Sequence, residues 1–264
     1  LSYELVTYTS TVLPGERSYG VSLPPGYSQH PQQRYPVIFL LHGGHGNATD
    51  WWQAGKGNAL VVLQTLYQEG KLPPSIIITP DGNDKRGSSP YRDPEYIDGP
   101  NGKVSTAIGD ELVKLVQNRY RTLPAPNFWA IGGLSSGGWG AVNVGLHHPN
   151  HFSVLFSHSG YFEDKSGPRN SPMEFVKTLP ASVRQGLRVY IDTGTSDPKG
   201  EKYVEQARQF HQVLNQLGVS NVLHEFPGSH EWSFWHEHLA DSLTYVGNQF
   251  KLAGLPNESP SAHR

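Results

Sequence analysis

The chain has 264 residues, 36% apolar and 17% charged, with a formal net charge of −2. That balance is ordinary for a soluble globular protein and carries no electrostatic footprint for nucleic acid or acidic membranes. The absence of cysteine excludes a disulfide framework, a thiol nucleophile and cysteine-ligated zinc.

In chain order, residues Leu1 to Thr11 and Arg17 to Leu23 alternate apolar and polar side chains around Pro14-Gly15, which predicts an antiparallel hairpin at a sheet edge. Val37 to Leu41 predicts a buried strand and is far too short to span a bilayer. Asn58 to Glu69 predicts a helix carrying Leu60, Leu63, Leu66 and Tyr67, followed by a strand at Ile76 to Thr79. After the long connection Asn83 to Val104, Ser105 to Tyr120 places Ile108, Leu112, Leu115 and Val116 on one helical face. Phe128 to Ile131 predicts a strand and Ala141 to His147 a helix, then Val154 to Ser157 a strand. Gly160 to Leu187 holds one short helical piece, Pro172 to Thr178, with room for a modest lid but not a cap domain. Arg188 to Asp192 and Val222 to Phe226 predict strands, separated by a helix at Glu201 to Leu217 and followed by one at Trp232 to Phe250.

This alternation predicts an α/β fold with a mostly parallel central sheet, an antiparallel N-terminal edge and helices on both faces. Residues 1–253 read as one domain and the Pro/Ser-rich 254–264 as a frayed tail. No signal-peptide pattern opens the chain, but a start at Leu1 rather than Met indicates a processed chain. The sequence does not fix the compartment; secreted or cell-envelope is favoured over cytoplasmic.

Gly133-Leu-Ser-Ser-Gly137 is a G-x-S-x-G match set between a β-prone run and a helix-compatible run, as a nucleophile elbow requires. Such a turn strains the serine backbone and needs glycine two residues to either side. Ser135 satisfies both positions, whereas Ser136 has Leu134 before it. A serine nucleophile needs a base oriented by a carboxylate, and in elbow folds the acid and then the histidine follow in chain order. Asp197 lies just past a predicted strand, and His230 lies in the loop after the next one. Strand-end loops of α/β sheets collect at the ligand edge. Asp192 lies within its strand and reads as a structural carboxylate, while His224 should point into a packed layer. His236 and His238 could as easily be solvated, lacking the i, i+4 spacing of a helical metal site. His42 and His45 read as loop-shaping residues. The oxyanion hole needs pre-placed N–H donors. Ser136 supplies one, and the loop Gly43-Gly-His-Gly46 supplies the other, with Gly44 the first choice.

Taken together, several segments resemble the esterase D / antigen 85 (feruloyl esterase-like) family of α/β-hydrolases over roughly residues 3–250. They are Val21-Ser-Leu-Pro-Pro-Gly-Tyr27, Leu40-Leu-His-Gly43, Ile78-Thr-Pro-Asp-Gly82, Asp110-Glu-Leu112 ahead of Arg119-Tyr120, Gly133 to Gly138, His148-Pro149 with Phe152, and Ser159-Gly160. The resemblance implies Ser135 as nucleophile, Asp197 as acid, His230 as base and the N–H groups of Gly44 and Ser136 as oxyanion hole. It implies a cofactor-free hydrolase of acyl esters of sugars or aromatic acids, acting on a small-molecule or polysaccharide-linked ester. An antigen 85-type acyltransferase and an S-formylglutathione hydrolase-like thioesterase are the alternatives. A non-catalytic binding protein of the same fold would not need the intact Ser, Asp and His set. Many relatives have Met where this chain has Ser136, the cysteines of the formylglutathione branch are missing, and no long apolar stretch suits a very long acyl chain.

On the substrate side, Asn83 to Val104 is long for a strand-to-helix connection and should overhang the active edge. Tyr91 and Tyr96 within it, Trp51 and Trp52 after the oxyanion loop, Trp139 after the elbow and Trp232 after the histidine are the expected substrate contacts, since aromatic faces suit sugar rings and aromatic acyl groups. Asp81, Asn83, Asp84, Asp93 and Asp98 lack calcium-loop spacing and read as an oxygen-rich, solvated loop without a metal.

Overall fold

The computed structural model describes residues 1–198 and 200–256. Strands β1 (Glu4–Thr9), β2 (Glu16–Ser22) and β3 (Val37–Leu41) precede helix α1 (Ala59–Gln68) and β4 (Ile76–Pro80). The long connection carries a small ribbon, β5 (Asp98–Gly99) and β6 (Gly102–Lys103), and runs into α2 (Val104–Thr106), a π-helical turn (Ala107–Glu111) and α3 (Leu112–Arg119). There follow β7 (Trp129–Leu134), α4 (Ser136–His147), β8 (Val154–His158), α5 (Pro172–Phe175), α6 (Ala181–Gly186), β9 (Arg188–Gly194), α7 (Gly200–Gln216), β10 (Ser220–Phe226) and α8 (Trp232–Leu252). Among the described residues no helix is long and apolar enough to cross a membrane.

Alternation along the central strands creates two cores. Val37, Phe39 and Leu41 of β3 join one, with Trp129 and Ile131 of β7 and Val189 and Ile191 of β9. Ile38 and Leu40, Ala130 and Leu134, and Tyr190 join the other. A strand's period of two sends successive side chains to opposite faces, so runs that look uniformly apolar serve both layers. The first core is covered by α3, α4 and α7, and the second by α1 and α8. Each large apolar side chain buried this way contributes roughly 1.5–3 kcal/mol.

The main sheet has the order β1-β2-β4-β3-β7-β8-β9-β10. The pairs from β4 through β10 are parallel, while β1–β2 and β2–β4 are antiparallel. The expected mostly parallel sheet with an antiparallel N-terminal edge is borne out. Register then brings the functional loops together: Leu41 pairs with Gly133, Leu134 with His158, His158 with Asp192, and Gly194 with Phe226. The loops after β3, β7, β9 and β10 therefore leave the same edge of the sheet.

Three local expectations are corrected. Helix α4 begins at Ser136, not Ala141, because the glycines that weaken helix propensity there are required by close packing. His224 does not enter a packed layer. It lies on the edge strand β10, exposed, against the rings of Tyr190 at 5.5 Å and Phe226 at 5.4 Å. His238 is buried rather than solvated, stacked on Phe226 at 3.9 Å with Nδ1 2.8 Å from Asp241. Of the expected tail, residues 257–264 lie outside the described residues; Leu255 is half-buried against the second core.

A Cβ added at Gly132 in β7 would overlap the Phe156 ring, whereas one at Gly186, ending α6, would meet open space. Gly132→Ala is expected to destabilise by about 1–3 kcal/mol through overpacking. Gly186→Ala should be neutral or stabilise by up to about 1 kcal/mol. Denaturant midpoints of the two variants check the contrast.

Candidate active site

The chain leaves β7 through Ser135 at φ 53° and ψ −121°. A side-chain-bearing residue held there costs on the order of 1–3 kcal/mol, so the surroundings must impose it. The Ser135 N–H donates to the His158 carbonyl at 2.8 Å, and the Ser135 carbonyl accepts from Gly138 at 2.9 Å and Trp139 at 3.1 Å. A Cβ on Gly133 would lie 2.5 Å from the Gly137 carbonyl oxygen, and one on Gly137 would overlap the His42 carbonyl. Both glycines are thus dictated by backbone against backbone.

Ser135 Oγ lies 2.9 Å from His230 Nε2, and His230 Nδ1 lies 2.7 Å from Asp197 Oδ2. The Asp197 carboxylate is fully buried and the imidazole is partly exposed. With its Nδ1–H turned to the carboxylate, the ring leaves Nε2 to accept the serine proton. Backbone hydrogen bonds lace the two loops together: Thr195 N–H to Phe226 at 2.9 Å, and Ser196 N–H to Gly228 at 2.8 Å. Parallel pairing of β9 and β10 therefore fixes Asp197 relative to His230. The histidine ring is wedged between Trp235, edge-on at 4.9 Å, and Tyr203 at 5.4 Å.

Ser136 opens α4, so its N–H is among the first four of the helix, which have no intrahelical acceptor. Because Leu41 pairs with Gly133, the glycine-rich loop after β3 starts beside this elbow. His42 shapes that loop: Nδ1 meets the Gly43 carbonyl at 2.8 Å, and Nε2 accepts from Gly82 N–H at 2.9 Å. The Asp93 carboxylate lies beside the bare Cα of Gly44, a place a side chain at residue 44 would fill.

The Esterase family model, described as "Putative esterase", matches residues 10–246. The chain belongs to this esterase family. It is 25% identical over 239 residues to an acetyl esterase of Caldicellulosiruptor saccharolyticus, a match covering 80% of this chain and 82% of that protein. It is 30% identical over 248 residues to an endo-1,4-beta-xylanase/feruloyl esterase of Xylanibacter ruminicola, covering 90% of this chain and 31% of that protein. The chain spans 56% of the length of a further relative, from Corynebacterium glutamicum. Among solved structures, a ferulic acid esterase superposes with a TM-score of 0.84 at 26% identity, covering 94% of this chain and 98% of that one. The architecture is the α/β-hydrolase fold of these esterases, without a large cap.

In this chain the aromatic residues divide differently from the expectation. Trp51, Trp52 and Tyr96 are buried, so they do not face a substrate. Their polar atoms hold the frame instead: Trp51 Nε1 donates to the Leu41 carbonyl at 2.9 Å, Trp52 Nε1 to Thr79 Oγ1 at 2.7 Å, and Tyr96 OH to the His42 carbonyl at 2.6 Å. Trp139 is also buried, its indole N–H on the Asn170 carbonyl at 2.9 Å and its face stacked on Tyr161 at 5.4 Å. Trp232 is half-buried, edge-on to Trp51. Tyr91 is 93% exposed at the rim of a cleft of about 600 Å³, whose walls include Asp93, Trp139, Tyr161 and Tyr203.

Tyr161 and Tyr203 escaped the sequence reading. Tyr161 follows Ser159-Gly160 just beyond the end of β8, a strand-end position that could have marked it. Tyr203 lies on α7, and nothing in its local sequence ties it to His230. Burial pushes the Tyr203 phenol up to about 12, so it stays neutral and can both donate and accept. The acidic loop is solvated only in part: Asp93 and Asp98 are exposed, while Asn83 and Asp84 are buried. Asp84 holds Arg86 through paired hydrogen bonds, Nε to Oδ1 at 2.9 Å and Nη2 to Oδ2 at 2.7 Å, and Asp98 accepts from Thr106 N–H at 2.9 Å.

Tyr96→Phe separates framework from substrate contact. Loss of the hydroxyl leaves the buried His42 carbonyl short of a donor, so stability should fall by about 1–3 kcal/mol in denaturant unfolding.

Proposed function

We propose that this esterase-family chain hydrolyses carboxylic esters by a two-step acyl-enzyme route. The observation that carries it is the unbroken hydrogen-bonded chain from Ser135 through His230 to Asp197 on a strained elbow. His230 takes the hydroxyl proton as Ser135 Oγ attacks the ester carbonyl. The tetrahedral oxyanion is met by the N–H groups of Ser136 and Gly44, the first aided by the positive end of the α4 dipole. The imidazolium, steadied by Asp197, returns the proton to the leaving alcohol as the C–O bond breaks. Water activated by the same histidine then attacks the acyl-enzyme, releasing the acid and restoring Ser135.

For the substrate, we infer an acyl ester of a sugar or an aromatic acid. Supporting this are the cleft of about 600 Å³, in which Tyr161 and Tyr203 stand among charged side chains, and the names of the relatives, an acetyl esterase and a feruloyl esterase. The ring faces of Tyr161 and Tyr203 suit sugar rings or aromatic acyl groups.

Ser135→Ala should abolish turnover of a short-chain p-nitrophenyl ester with an unchanged melting temperature. Asp197→Asn should lower kcat by about 10³–10⁴-fold, and Asp192→Asn by far less. Equal losses at the two aspartates, or residual turnover in Ser135→Ala, would reject the assignment. Product analysis with acetyl and feruloyl sugar esters, with and without an acceptor alcohol, distinguishes hydrolysis from acyl transfer.

A further inference from the structure

Beneath the active edge lies a second Ser-His-Asp chain that no substrate reaches. His158, the last residue of β8, places Nδ1 2.7 Å from Asp192 Oδ2 on β9 and Nε2 2.7 Å from Ser242 Oγ on α8. All three residues are fully buried, and Asp192 Oδ2 also accepts from Tyr190 OH at 2.8 Å. Trp51, Phe156 and Tyr190 surround the imidazole with ring centroids 5.8 to 6.4 Å away. Polar groups this deep cost desolvation that only hydrogen bonding offsets, and an apolar cluster would often be at least as stable. Stability alone is therefore a weak reason for the cluster.

The main chain and the next residue connect it to the chemistry. The His158 carbonyl accepts the Ser135 N–H at 2.8 Å, so it holds the strained nucleophile backbone. Ser159 has φ 52° and is fully buried, and its N–H donates to the Asp192 carbonyl at 3.0 Å. Its Oγ accepts the Trp235 indole N–H at 3.0 Å, and Trp235 stands edge-on to the His230 ring. Two consecutive residues thus touch both sides of the Ser135–His230 pair, one through a carbonyl and the other through an indole.

We propose that His158 and Ser159, clamped by Ser242 and Asp192, are positioning residues that set the approach of Ser135 Oγ to His230 Nε2. The proposal rests on the reading of Ser135 as nucleophile. Ser242 lies on the same helix as Trp235. The imidazole therefore ties the strand end that holds the nucleophile to the helix that braces the base. Losing either tie lets the serine and the histidine drift relative to each other, and a shift of about 1 Å in such geometry costs on the order of 100-fold in rate.

The test uses the full chain and compares Ser242→Ala, Ser242→Thr and Trp235→Phe with wild type. For each, kcat and KM on a short-chain p-nitrophenyl ester, the rate of fluorophosphonate labelling at Ser135, and the melting temperature are measured. Ser242→Ala and Trp235→Phe should lower kcat and labelling in parallel by about 10- to 100-fold, with KM little changed at temperatures where each is fully folded. Ser242→Thr, which keeps the hydroxyl, should recover most of the loss. Lowered melting temperatures with wild-type kcat and labelling would overturn the proposal and leave the cluster a stability element. If Ser242→Ala does not fold, Trp235→Phe decides alone, since it keeps an aromatic ring and removes only the N–H donor and part of the ring area. Failure of wild type itself to label at Ser135 would instead overturn the nucleophile assignment, and this proposal with it.

Discussion

A serine held at φ 53° is the constraint on which the active edge is built. The conformation is unfavourable for any side-chain-bearing residue, so it persists only where neighbours leave no alternative. Here the neighbours are backbone: His158 takes the N–H, α4 begins at once, and the carbonyls of Leu41 and His42 come so close that residue 137 has no room for a Cβ. That crowding exists because β3 and β7 stay paired to Leu41 and Gly133, at the start of the elbow. The same pairing that brings the glycine-rich loop after β3 to the serine also makes the glycines obligatory. Geometry and composition at the elbow are one requirement.

Asp197 and His230 are placed in a different way. Neither Asp197 nor His230 sits on a strained residue, and their loops are tied mainly to each other. A loop at the sheet edge has fewer packing partners than one at its centre, so lacing by backbone hydrogen bonds substitutes for burial. Gly194 and Gly228 permit this lacing, since a Cβ on Gly194 would lie 2.6 Å from the Gly228 carbonyl oxygen. The cost falls on β10, which remains half-exposed with a partner on one side only.

Much of this was readable from the sequence because the informative features are local. Apolar strands, the glycines around Ser135 and the chain order of Ser135, Asp197 and His230 depend on residues near one another in sequence. The structure brings those three side chains into one hydrogen-bonded chain. What failed was inference from sequence proximity to direction. Trp51 and Trp52 follow the oxyanion loop directly, yet both turn inward, because an indole N–H close to a strand end finds a buried acceptor. Tyr203 shows the converse, reaching His230 only through the packing of α7 on the sheet. His224 and His238 were misjudged for one reason, the strand order, since an edge strand exposes one histidine and gives the other the Phe226 ring to stack on.

The aromatic residues then sort by chemistry. Tryptophan offers a single donor and no acceptor, so a buried indole is satisfied once it finds one oxygen in a fixed place. Trp51, Trp52, Trp129, Trp139 and Trp235 each do this, on Leu41, Thr79, Leu123, Asn170 and Ser159. Each bond pins a segment that must not move, and four of the five segments adjoin the active edge or the cleft. A tyrosine hydroxyl both donates and accepts, so its best partner need not be a fixed one. Tyr91, Tyr161 and Tyr203 line the cleft, where an entering molecule meets hydroxyls able to adapt to it. The rigid donors build the site's frame, and since Tyr203 also braces the His230 ring, Tyr91, exposed at the rim, is the tyrosine whose substitution can alter selectivity without loosening the serine.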